Sequence, residues 1–158
     1  MDPVNRTIYQ AAATLVLALA FAGPAAAADE SHEHGHRAGE ARLVLDHGRK
    51  WQTDAPLRQG MENIRAVVAR DVRAIHANKA TPKQYEALAD KVKGEVAYIV
   101  QNCKLPEDAD AQLHLVIAEL LAGADAMKAE HRREGVERVA RALNQYGEFF
   151  NHPGWRKL

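Results

Sequence analysis

The chain's single cysteine, Cys103, lies in IVQNCKLPEDADAQLH, eleven residues before His114. Thiolate and thioether sulfur favour Cu(I), and imidazole suits several transition metals. A site joining Cys103 and His114 to a methionine such as Met61 would hold a soft-metal ligand set, the mixture found in copper electron transfer. A second candidate is SHEHGH, where His32, His34 and His36 alternate in a polar tract. Short His-rich tracts capture metal ions weakly, because ordering them costs chain entropy.

A lone cysteine cannot close an intramolecular disulfide. Three uses remain open to Cys103: a small apolar packing group, a disulfide between two subunits of a dimer, or a metal thiolate. The chain has no CxxCH or CxxC, so covalent haem attachment and dithiol exchange are not indicated. It also lacks GxSxG, HExxH, phosphate-loop and dinucleotide signatures, and the repeated Glu-x-x-His of ferritin-like carboxylate sites. An enzyme is therefore the less favoured class.

After Arg6 comes IYQAAATLVLALAFAGPAAAA, an apolar run ending in small residues. Basic start, apolar centre and Ala-x-Ala-like end predict a secretory signal peptide over residues 1–28, cleaved near Ala28. Export to the periplasm or beyond the cell follows, with no stable membrane span in the mature chain of about 130 residues. Lys and Arg number 21, as do Asp and Glu, so nothing basic points to nucleic acid. Residues 29–53 form a His-containing segment and lead-in, and 54–158 form the domain with its tail.

Four helices must position these residues. The first is predicted over 55–77, with Asp54 as N-cap, Pro56 in the first turn, and a stripe of Leu57, Met61, Ile64, Val68, Val72 and Ile75. TPKQ opens the second, over 82–102, with Thr81 and Gln84 as a capping box. Its stripe of Tyr85, Leu88, Val92, Val96 and Ile99 projects onto Cys103. The third covers 106–127 and the fourth 130–150, each with one apolar face. Short links make neighbours antiparallel, so the expected fold is an all-α, up-down-up-down four-helix bundle.

Antiparallel order gathers the start of the first helix, the end of the second, the start of the third and the end of the fourth at one end, the top. Met61, Cys103, His114 and His152 all belong there. His47 and Trp51 precede the first helix and can cover the same end, with Trp155 as the other half of an aromatic lid. Arg58 is placed to pair with Asp108 or Asp110. His76 and His131 fall at the opposite end, where cap or surface roles suffice.

Over residues 54–152 this architecture resembles the small periplasmic four-helix bundles of the cytochrome b562 and cytochrome c-prime type. The b-type family holds haem between a methionine on the first helix and a histidine on the last. Met61 matches the first role, and His152 lies just beyond the fourth helix. The c-prime type carries CxxCH near the end of its last helix, where this chain reads RALNQYGEFF. The chain also looks like an uncharacterised family of small exported bacterial proteins.

The favoured expectation is a periplasmic metal-binding protein, with copper slightly ahead, that stores or delivers the ion or carries one electron. Its partner would be a redox or metallochaperone protein. Cys103, Met61 and His114 form the expected first set of ligands, with His152 or His47 completing it. Non-covalent haem b held by Met61 with His114 or His152 is one alternative, with Ala109, Ala118, Gly123 and Ala124 leaving room for the ring. A cofactor-free structural or interaction bundle is the other.

Overall fold

The structure, a computed structural model, describes residues 42–158. The expected leader and His32, His34 and His36 lie outside the described residues. The chain folds as four helices: α1 (Ala55–His76), α2 (Pro82–Asn102), α3 (Glu107–Lys128) and α4 (Arg132–Phe149). Each packs on its chain neighbours and α1 closes on α4, which gives the expected four-helix bundle. Among the described residues no helix is long and apolar enough to cross a membrane.

The caps explain where the helices begin. Asp54 Oδ1 accepts from the Leu57 N–H at 2.9 Å, satisfying one of the free donors of the first turn of α1. Thr81 and Gln84 form the reciprocal capping box of α2. Helices α3 and α4 begin one and two residues later than the spacing predicts. Their N-caps, Pro106 and His131, make no side-chain cap bond. In α3 the acidic first turn, Glu107, Asp108 and Asp110, complements the helix dipole instead.

The core is the sum of the four stripes. Leu57, Met61, Ile64, Val68, Ile99, Leu120, Met127, Leu143, Tyr146 and Phe150 are all fully buried. Val72, expected on the α1 stripe, is only half-buried. Small residues set the closest approach of the bundle. A Cβ on Gly135 would stand 2.6 Å from Gly123 O, and one on Gly123 would stand 2.8 Å from Gly135 O. Gly123 and Ala124, expected to leave room for a ring, are buried against α4 and the core, whereas Ala118 is exposed.

Two irregular segments finish the top. In the lead-in, His47 (φ 49°) and Gly48 (φ 82°) are the central residues of a tight turn. Asp46 and Arg49 close it with two backbone hydrogen bonds of 2.8 Å. Trp51 then pairs with the end of α4: its N–H donates to Phe149 O and its carbonyl accepts from Asn151 N, both at 2.8 Å. At the other terminus the tail, 151–158, turns back along α4. Lys157 bonds Glu148 at 2.6 Å, and Leu158 N–H donates to Asn144 Oδ1 at 3.0 Å.

Candidate functional site

Cys103 is the C-cap of α2, and its N–H donates to Ile99 O at 2.8 Å. His114 stands on α3, two turns past its start. The antiparallel pairing brings these two residues to one surface cleft of about 150 Å³, which Asp110, Ile99, Leu113 and Ile117 also line. The cleft sits at the top of the α2–α3 seam. Lower down, the same seam is closed by Lys93 with Asp125 at 2.5 Å and by Lys128 with Asp90.

His114 Nδ1 lies 2.9 Å from the Asp110 carbonyl oxygen, four residues back. A carbonyl can only accept, so Nδ1 carries a proton, and in the neutral ring Nε2 is then the nitrogen with the lone pair. A ring N–H donated to a backbone carbonyl is the outer arrangement that orients metal-binding histidines. His114 is also 64% exposed, so a solvent-borne ion can reach it.

Cys103 is half-buried, and burial pushes its thiol up to about 12, helped by the neighbouring Asp54 carboxylate and then by Asp110. The free cysteine is therefore a thiol at neutral pH, and a metal binding there must displace its proton. Asp54 ties the start of α1 to the end of α2. One oxygen caps α1, and the other accepts from the Lys104 N–H at 2.7 Å, just past α2.

The remaining candidates fall elsewhere. Met61 is fully buried in the core and is not among the residues lining the cleft. His152 belongs to a separate cluster around α4, with its Nδ1 3.1 Å from Tyr146 Oη and its ring 4.9 Å from that of Trp155. Burial lowers its pKa, Glu62 opposes that shift, and Arg58 and Arg65 reinforce it. His47 is a turn residue, 93% exposed, with Nδ1 2.8 Å from Asp46 Oδ1. Arg58, expected to pair with Asp108 or Asp110, instead donates to Thr53 O at 2.6 Å and to Thr53 Oγ1 at 3.1 Å. That backbone partner is only five residues away, so α1 needs no reach across the bundle to satisfy the guanidinium.

Trp51 and Trp155 cover different parts of the top. Trp51 donates from Nε1 to Val44 O at 2.7 Å and seals the side of α4 that faces the lead-in. Trp155 lies edge-on to Tyr146, with centroids 4.9 Å apart, beneath the Arg65 guanidinium. Among the described residues no group of three or more His, Cys, Asp or Glu side chains is arranged to hold a metal ion. Sequence reasoning took Asp54 only as a helix cap and missed its second contact. That contact depends on how the α2–α3 link crosses the start of α1, and no local spacing encodes it. No family model, curated protein or solved structure matches the chain.

Proposed function

We propose that the protein binds a soft transition-metal ion, Cu(I) ahead of others, with Cys103 Sγ and His114 Nε2 as its ligands. The observation that supports this reading is the shared cleft, which Cys103 at the end of α2 and His114 on α3 both line. Cu(I) accepts low coordination numbers, so two protein donors suffice and an external donor can complete the site. Such a site suits an ion that is passed on. Delivery or buffering outside the cytoplasm, through a metallochaperone or redox partner, is therefore the role we favour over permanent storage.

Binding replaces the thiol proton by the ion and releases one proton to solvent. Apparent affinity should then rise about tenfold per pH unit across the neutral range. The test is a spectroscopic titration of the purified protein with Cu(I), Cu(II) and haem under controlled redox conditions, followed by metal analysis after gel filtration. One retained Cu(I), lost in both Cys103→Ala and His114→Ala, is the expected result. A haem Soret band unchanged by Cys103→Ala would replace this reading with the haem one.

A cofactor-free interaction bundle is the second reading. It is favoured by one specific observation, the thiol held protonated beside Asp54. Retention of no metal and no haem in any redox state would select it.

A further inference from the structure

A second cavity lies on another face and shares no residue with the Cys103–His114 cleft. It is a groove of about 490 Å³ along α3 and α4, bordered at one end by Arg42 and Leu43 of the lead-in. That volume falls within the roughly 300–1,000 Å³ typical of small-molecule sites. On α4 the groove takes Arg141, Gln145 and Phe149, one row of residues spaced four apart. Leu115 comes from α3, and Arg42 and Leu43 from the lead-in. The lead-in is pinned there by the Val44 N–H, which donates to Gln112 Oε1 of α3 at 2.8 Å.

The charges in the groove are unequal. Its one carboxylate, Glu119, is held by both arms of Arg138 at 2.7 and 2.8 Å, and that pairing keeps it well ionised. Arg141 also stands near enough to Glu119 to favour its ionised form, but Arg138 takes up both carboxylate oxygens. Among the described residues Arg42 and Arg141 form no ion pair, so the arginines lining the groove outnumber its carboxylate two to one. Leu43, Leu115 and Phe149 are only half-buried and present hydrocarbon to the same space. A guanidinium fork matches a carboxylate in plane and in donor spacing. Glu119 at the same groove disfavours a dianion.

We propose that this groove binds an amphipathic monocarboxylate, its carboxylate between Arg42 and Arg141 and its apolar body along Leu43, Leu115 and Phe149. The inference stands apart from the metal reading. Cys103→Ala should leave it untouched, so failure of either one is seen separately.

The test is calorimetric titration of the purified protein with sodium decanoate below its micellar range. Acetate, decyltrimethylammonium and inorganic phosphate serve as comparison ligands. One saturable site for decanoate is expected, with no saturable binding of acetate or of the ammonium. Arg141→Gln should weaken decanoate at least tenfold. Ala118→Trp, at an exposed position lining the groove, should abolish binding while the melting curve stays that of the wild type. The proposal is overturned if decanoate shows no saturable site, if the ammonium binds as well, if phosphate binds more tightly, or if Arg141→Gln changes nothing.

Discussion

At the scale of single residues, the top of the bundle holds two groups whose protonation is set by their surroundings. Cys103 is the first. With its thiol pushed up to about 12, it stays a thiol rather than a thiolate at neutral pH. Its reaction with an aromatic disulfide reagent at pH 7.5 should be far slower than that of the urea-unfolded chain. Asp54→Asn keeps a competent helix cap but removes the negative charge, so the folded protein should react faster. An unchanged rate would mean that Asp54 has no hold on the thiol. His152 is the second, and its sign is opposite. Burial lowers its pKa below the ordinary 6.5, so the unfolded chain takes up the proton first as pH falls. Stability should hold above pH 6.5 and decline as pH drops through that value toward the folded one. Denaturant midpoints across this window should show the decline, and His152→Gln should flatten it. A decline equally steep in the variant would assign it to the carboxylates.

At the scale of elements, caps and close contacts decide how the helices lie, and glycines give the cleanest test of the packing. Gly94 and Gly135 both sit inside helices, where alanine is favoured by about 1 kcal/mol on propensity alone. A Cβ at Gly94 meets nothing within 4 Å, so Gly94→Ala should realise that gain. At Gly135 the new carbon would stand 2.6 Å from Gly123 O and 2.7 Å from Met127 N. Both are backbone atoms of α3 and cannot rotate away, so α3 and α4 must part. Overpacking of this kind costs typically 1–3 kcal/mol, enough to outweigh the propensity gain. Gly135→Ala should thus lower the melting temperature and Gly94→Ala should raise it, by roughly 4 °C per kcal/mol. If Gly135→Ala melted as high as the wild type, the close crossing of α3 on α4 would be wrong. Much of this level was legible in the sequence. The stripes of α1 and α2 and the caps at Asp54 and Thr81 are local signals, and apart from the half-buried Val72 they fell where the spacing put them. The starts of α3 and α4 shifted because Pro106 and His131 offer no side-chain cap to mark them. The Gly123–Gly135 contact was not legible, because a pair twelve residues apart across a turn declares itself only once the two helices cross.

At the scale of the whole molecule, the bundle depends on its two irregular segments as well as on its helices. Topology alone brought Cys103 and His114 to the same end, and the structure has them lining one cleft. It could not show that His152 would join α4, because that outcome depends on the path of the tail, whereas the place of Met61 on the α1 stripe already pointed to the core. The tail fills the seam where α1 meets α4, which is the slightest of the contacts between neighbouring helices of the bundle. Trp155 lies there against Tyr146 and Gly147, and Arg65, paired with Glu62, stands over its ring. This makes a coupled prediction. A Cβ on Gly147 would stand 2.3 and 2.4 Å from the indole Cδ1 and Nε1, so Gly147→Ala in the wild type must push Trp155 off its seat. Trp155→Ala alone should destabilise by about 2–3 kcal/mol, below the usual cost of a fully buried tryptophan because this one is half-buried. In the Trp155→Ala background the obstacle is gone, and Gly147→Ala should become neutral or stabilising through helix propensity. The cost of Gly147→Ala would thus vanish or reverse between the two backgrounds, a coupling that a double-mutant cycle reads directly from urea unfolding. Additive costs would mean that the indole does not sit on Gly147 in solution. The α1–α4 seam would then be closed by the helices alone, and the tail would be dispensable to the fold.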